Sequence, residues 1–545
     1  MKASALLLKC LELHGIQSIY GVPGEENADV MISLLDSPIE FISTRHEQTA
    51  AFMATMHGAL TEQCGVCMAT LGPGATNLLT GVAQANMDHA PLIAIIGQAA
   101  TKRLHKESHQ NMDSLSMYQS VTKWAVTITD PDVIPEVVAK AVKLANSGRP
   151  GAVLIELPED ITKEETDAQP FQIRTGPLEI GTTQEQVEKA CSILSECKKP
   201  IVLLGDSANS LSCHQEIKTF LEKTGCYAAY TFMSKGAIDS RYDRSLHCVG
   251  LGFNDVVMNA FKDSDCVICI GYHMVEYPPS RWNIGCEKKI IHIDVEPAEV
   301  DQHYLPSLSF VGQIKSIMQA INEQLDESCH HKAAYFADHQ QQIKNELDRD
   351  RADMSFPMKP KRILKDIRQA MRDEDILISD VGAHKMWVAR QYGAHLPKTV
   401  FISNGFCSMS GSLPGAVEAK RLQPEKNVIA LCGDGGFMMG VQALCTGVEL
   451  GIPFVAVVWQ DDNYGLIKWK QEIEYQKSSH VALHNPDLAL LSQAYGCHGQ
   501  RIESAEEFAP ALREALSRQD KPTVLVVPVD YGENMKLVHH LREIT

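Results

Sequence analysis

Short apolar runs, each followed by a polar or glycine-rich turn and then by a stretch with apolar positions three and four apart, recur along most of the chain. Parallel strands buried on both faces read as such continuous apolar runs, and the intervening helical stretches supply the crossovers of βαβ units. Residues 1–167 predict strands at Ser18–Tyr20, Ile39–Thr44, Gly65–Thr70, Pro91–Gly97 and Ala152–Leu157. Residues 184–324 predict strands at Pro200–Leu204, Cys226–Tyr230, Cys266–Ile270 and Lys289–Ile293. Residues 355–545 predict strands at Ile376–Ser379, Val428–Cys432, Pro453–Trp459 and Thr523–Val529, then a short amphipathic tail. The expected fold class is α/β, with three doubly wound parallel-sheet domains. Residues 168–183, rich in Gln, Pro, Gly and Thr, read as a linker. Residues 327–353 read as a solvated helical connector.

Composition narrows the partners. A net charge of −18 repels nucleic acid and anionic membrane, and no apolar run approaches a membrane span. The N-terminus carries Lys9 and Glu12 inside an apolar helical pattern, so it reads as an amphipathic helix and not a signal peptide. Sixteen cysteines include two C-x-x-C pairs, Cys64 with Cys67 and Cys266 with Cys269. Each pair falls in a strand-like run, where residues three apart point to opposite faces, so buried reduced thiols in a cytoplasmic protein are the expectation. His330 and His331 beside Cys329 are expected in solvent and not on a metal.

The densest candidate chemistry lies between Val428 and Trp469, one βαβ unit with a Gly433-Asp434-Gly435-Gly436 turn after its first strand and a polar turn after its second. Asp434 and Asp461 are 27 residues apart in sequence, yet adjacent in space if the two strands are parallel neighbours. Two carboxylates plus a phosphate held at a helix N-terminus suit Mg²⁺, which prefers oxygen ligands and borrows some from its substrate or cofactor. Asp462 leaves the register of the second carboxylate open by one residue. Glu47 opens a helix in RHEQTAAFMA, where it either complements the helix dipole or stands beside a ligand.

The Gly-Asp-Gly unit resembles the thiamine diphosphate motif of thiamine-dependent decarboxylases and carboligases. RHEQTAAFMA with LGPGATNLLTGVAQANMDHAPLIAIIGQ is similar to the pyrimidine-binding domain of the acetohydroxyacid and acetolactate synthases. The resemblance implies that Glu47 faces a ring nitrogen of the aminopyrimidine. It implies that His109 and Gln110 lie near the reacting carbon, although on the residues alone they belong to a polar loop. Met409, otherwise a plain core residue, takes the place of the apolar wedge under the bent cofactor. Gly433, Gly435, Gly436 and His384 take the place of diphosphate ligands, and Asp434, Asp461 and the carbonyl of Asn463 that of metal ligands. HQ-x-MD and the Ile270–Asn283 segment resemble catabolic acetolactate synthases that dispense with FAD, so no flavin is expected. Relatives carry Trp or Gln where this chain has Lys470, the place where the second substrate is selected; on a solvated helix Lys470 would instead simply flank Trp469. The implied activity is condensation of two pyruvates, a small 2-oxoacid, to 2-acetolactate with loss of CO₂. The implied assembly is a homodimer or dimer of dimers with sites at the dimer interface. Two alternatives stand beside it: another thiamine-dependent decarboxylase or carboligase with a different acceptor, and a catalytically silent binding or regulatory subunit.

Overall fold

The computed structural model describes residues 1–173, 182–250 and 255–534. Among the described residues, eighteen strands form three six-stranded sheets in which every strand pairing is parallel. The first sheet holds β1 (Ser18–Gly21), β2 (Glu40–Ser43), β3 (Gly65–Ala69), β4 (Leu92–Gln98), β5 (Trp124–Thr127) and β6 (Ala152–Pro158) in the order β2-β1-β3-β4-β6-β5. The second holds β7 (Pro200–Leu204), β8 (Tyr227–Tyr230), β9 (Ser245–Cys248), β10 (Cys266–Ile270), β11 (Lys289–Asp294) and β12 (Leu308–Val311) in the order β12-β11-β10-β7-β8-β9. The third holds β13 (Ile376–Ser379), β14 (Val400–Ile402), β15 (Val428–Gly433), β16 (Val455–Gln460), β17 (His498–Arg501) and β18 (Thr523–Pro528) in the order β14-β13-β15-β16-β18-β17.

The α/β class is as the sequence reading expects. Five strands escaped that reading, β5, β9, β12, β14 and β17, and each lies at the edge of its sheet. An edge strand buries less, so its sequence need not be a continuous apolar run: β17 reads His-Gly-Gln-Arg and none of its residues is fully buried. The connector also differs from expectation. Phe336 and Ile343 are buried in the core of the second sheet, so it is a packed flank and not a solvated tether. His330 is exposed as expected, while His331 is half-buried and donates its backbone N–H to the Thr224 carbonyl. All sixteen cysteines are free thiols, with Cys64 placed just before β3 and not within it. Residues 174–181 of the expected linker and the C-terminal tail from residue 535 lie outside the described residues.

The first and third sheets have the same strand order, a repeat with no trace at residue level in the sequence, and they share one apolar core. The Glu47–Thr61 helix of the first packs on the Ser412–Leu422 helix of the third. At that seam Glu418, with no solvent exposure, accepts from Tyr20 Oη at 2.5 Å and from Arg421 Nε at 2.9 Å, and lies 3.0 Å from His57 Nδ1. In the second sheet the switch point between β7 and β10 is filled by backbone: a Cβ on Gly205 would lie 2.2 Å from the Gly271 oxygen.

His89 of the first domain is bonded to Asp206 of the second, close to Arg149, His273, Asp88 and Asp294. Burial opposes the charge on both partners, yet the pairing wins: His89 is raised above the ordinary imidazole range, and Asp206 is lowered to about 2 with help from His273 and Arg149. The raised imidazolium contributes its stability fully below the unfolded value and loses it as pH climbs through the folded one; the Asp206 contribution is lost only near pH 2. His273, lowered to about 4 mainly by burial, stays neutral through the upper window. The urea midpoint is therefore expected to fall as pH rises from about 6.5 towards 9, and His89→Gln is expected to flatten that slope. An unchanged slope in the variant would refute the assignment.

Candidate active site

In an open parallel sheet, ligands collect beyond the carboxyl ends of the strands where the strand order reverses. In the third sheet that point lies between β13 and β15, flanked by the turns carrying His384 and Asp434. β15 pairs with β16 in parallel register, Gly433 beside Trp459, which brings the Asp434 and Asp461 turns together as the sequence reading required.

Asp434 is 1% exposed and begins the Asp434–Gly440 helix. Its Oδ1 accepts from Gly435 N at 2.9 Å, and its Oδ2 from Asp462 N and Asn485 Nδ2, both at 2.8 Å. Burial raises its carboxyl above the ordinary range despite those donors. Asp461 is pushed up to about 7, first by burial and then by the Asp434 charge. Such a pair asks for a cation between its members. Asp462 adopts φ +53° and its Oδ1 accepts from Gln460 Nε2 and Asn485 Nδ2, both at 2.8 Å. Asn463 Nδ2 donates to the Asp461 carbonyl at 2.5 Å. Tyr464 N donates to Val481 O and Leu483 N to Asp462 O, the pattern that leaves the carbonyl of Asn463 facing away from the returning chain. Among the described residues no group of three or more His, Cys, Asp or Glu is placed to hold a metal alone, so a cation at this turn would need further ligands from phosphate or water.

His384 is 2% exposed, its ring beside Gly433. Burial and Lys385 lower its pKa to about 3, and its Nε2 has no partner. An orphaned buried nitrogen beside a helix N-terminus fits an anion, which would draw a proton onto the ring. Gly436 fits the same cradle, since a Cβ there would lie 2.6 Å from Asp380 Oδ2. Asp380, raised to about 7 by burial, accepts Ser410 N on both oxygens at 2.9 and 3.0 Å and so fixes the residue after half-buried Met409. The loop before Met409 is gripped from two sides: Asp88 accepts from Gly405 N at 2.9 Å, and Lys385 Nζ donates to Asn404 Oδ1 at 2.8 Å.

The corresponding end of the first sheet holds Glu47. His46 caps its helix, accepting from Gln48 N, and Glu47 Oε2 accepts from Asn77 Nδ2 at 2.9 Å. Gly72, at φ +54°, lets the 109–110 loop approach, a Cβ there being 2.8 Å from Gln110 O. Gln110 itself adopts φ +56°, and His109 and Gln110 are both exposed. Gln48 Nε2 donates to Ser410 Oγ at 3.0 Å, linking the first domain to the Met409 loop. Lys470 is exposed on the Gly465–Tyr475 helix, while its neighbour Trp469 is buried. Within one chain Lys470 therefore points into solvent. Asn485, Asp380 and Asp88 were missed by sequence reasoning: Asp380 had a signal, a polar residue ending a predicted strand, whereas Asn485 sits in irregular chain with none.

The chain matches three family models: thiamine pyrophosphate enzyme, N-terminal TPP binding domain, over residues 1–117; central domain, over 187–321; and C-terminal TPP binding domain, over 380–527. It is 34% identical to the catabolic acetolactate synthase of Raoultella terrigena, over 98% of this chain and 96% of that one. It is 30% identical to the acetolactate synthase of Bacillus subtilis, over 98% and 94%, and 31% identical to a probable acetolactate synthase large subunit of Methanocaldococcus jannaschii, over 99% and 93%.

Gly436→Ala places a methyl group against Asp380 in the cradle. It is expected to weaken binding of thiamine diphosphate, followed by tryptophan fluorescence, by about tenfold or more; wild-type affinity would contradict the assignment of this turn.

Proposed function

Since the chain belongs to the thiamine pyrophosphate enzyme family and aligns over nearly its full length with acetolactate synthases, we propose that it condenses two pyruvates to 2-acetolactate with release of one CO₂. The observation that supports this reading is a matched pair of acidic turns: Glu47, at the end of the first sheet, and Asp434 with Asp461 beside the switch point of an identically ordered third sheet.

Bound thiamine diphosphate supplies an electron sink for the charge left when pyruvate loses CO₂. The chain's part is binding, orientation and proton handling. Asp434, Asp461 and the Asn463 carbonyl would hold Mg²⁺. The turn Gly433, Gly435 and Gly436, with His384 Nε2, would take the diphosphate. Glu47 would hold a proton between its carboxylate and a pyrimidine nitrogen, and Asn77 keeps that carboxylate aimed. Met409 would pack its side chain against the cofactor from a loop anchored by Asp380 and Gln48. His109 and Gln110 would border the reacting carbon.

Glu47 and Asp434 lie in different domains, and the apolar surface around the cradle supports a second copy closing over it. Met438 and Met439 are 37% and 47% exposed on the helix that starts at Asp434, and Ile467 is 48% exposed beside Lys470. We read the assembly as a homodimer or a dimer of dimers, in which Lys470 would face the acceptor only once covered. The backbone-filled switch point of the second sheet favours a middle domain without FAD. No helix among the described residues is long and apolar enough to cross a membrane, and sixteen free thiols suit a reducing cytoplasm.

Purified protein given pyruvate, Mg²⁺ and thiamine diphosphate without FAD is expected to yield 2-acetolactate; acetaldehyde instead would make it a simple decarboxylase. Glu47→Gln is expected to lower kcat by about a hundredfold or more with the fold intact. Unchanged turnover in that variant would remove Glu47 from the mechanism.

A further inference from the structure

Three carboxylates, Asp434, Asp461 and Asp462, lie on the two facing turns, and the proposed cradle needs two. Asp462 stands beside Asp461 in sequence and its backbone N–H already touches Asp434, so position along the chain does not choose between them. The choice is made by a residue from the irregular stretch that returns between the Gly465–Tyr475 and Leu488–Ala494 helices. That stretch is stitched across the turn by Tyr464 N to Val481 O and Leu483 N to Asp462 O, each 2.8 Å. Four residues further on than Val481, the Asn485 side-chain nitrogen donates to Asp434 Oδ2 and to Asp462 Oδ1, both at 2.8 Å.

Both amide protons of Asn485 are thus spent on two different carboxylates. Asp462, which also takes the Gln460 amide, has its charge dispersed over neutral donors. A carboxamide suits this position on physical grounds. A lysine would bring a charge that competes with the cation, and an aspartate would add a further negative group to a place already crowded with them. Groups that hold a metal's ligands in this way tune the affinity of the site, by about ten- to a hundredfold.

We propose that Asn485 is a positioning residue for the cation: it orients Asp434 and sequesters Asp462, so that Asp461 becomes the second carboxylate ligand. This rests on the thiamine diphosphate and Mg²⁺ reading above, but not on which product the enzyme makes. The return stretch and the cation site are then coupled, because the same amide closes both.

The test is Mn²⁺ binding to the full chain in the presence of thiamine diphosphate, followed by the paramagnetic resonance of free Mn²⁺. Asn485→Ala is expected to weaken binding about tenfold or more, while kcat recovers at saturating metal. Asp461→Asn is expected to abolish binding, and Asp462→Asn to change it by no more than about twofold. A stretch with a purely structural role would leave Mn²⁺ affinity unchanged in Asn485→Ala while amide exchange over residues 476–487 quickens; that result overturns the proposal. So does a larger loss in Asp462→Asn than in Asp461→Asn, a comparison that stands even if Asn485→Ala fails to fold. Ordered Mn²⁺ losses in a protein that makes no acetolactate would leave the proposal in place and remove the proposed reaction. An unsubstituted chain that binds no Mn²⁺ would remove both.

Discussion

Two carboxylates forced out of water beside each other set the terms for the rest of this molecule. Asp434 and Asp461 end adjacent parallel strands; burial and the Asp462 charge raise Asp434 above its ordinary range, and burial and the Asp434 charge raise Asp461. Lys468 lowers Asp461 only as a lesser influence. A divalent cation removes the repulsion, and a cation with two protein carboxylates still lacks most of an octahedral shell. In the proposed site diphosphate oxygens would complete it, taken up by the helix N-terminus at Asp434 and by the orphaned His384 nitrogen. Cation, diphosphate and turn geometry are thus one requirement seen from three sides.

The same fold is used twice. The first and third sheets share a strand order, so each offers a crevice at its own switch point, but only the third carries the acidic pair. The first offers Glu47. What joins the first and third domains within one chain is the segment around Met409, held by Asp88 from the first domain and by Asp380 and Lys385 from the third. Gly405 is required at that grip: a Cβ would sit 2.2 Å from the Met87 carbonyl oxygen, a backbone atom that cannot swing aside. The position of Met409 is therefore a product of packing between domains as well as of local sequence.

Much of this was legible in the sequence, because buried parallel strands write themselves as apolar runs and their carboxyl ends as polar turns. β15 and β16 with their two acidic turns are written in the residue pattern alone, as is the helix that starts at Glu47. Edge strands such as β5 and β17 were not legible, since half-exposed strands carry mixed residues. Nor was the repeat between the first and third sheets, which lives in topology and not in residue identity. Asn485 could not be found either: its role depends on a return path of the chain across the turn, and no periodicity encodes that path. The open register between Asp461 and Asp462 could be addressed only by hydrogen bonds.

In the proposed assembly the halves of each site come from two chains, and subunit exchange measures this directly. Protein carrying Glu47→Gln is mixed with protein carrying Asp434→Asn, each inactive alone, and acetolactate formation from pyruvate is followed. Random exchange makes about half the dimers mixed, each with one intact site of two, so activity is expected to return to about one quarter of that of the unsubstituted protein. No recovery, with exchange verified by differential labelling, would place Glu47 and Asp434 in a site within one chain and contradict the account.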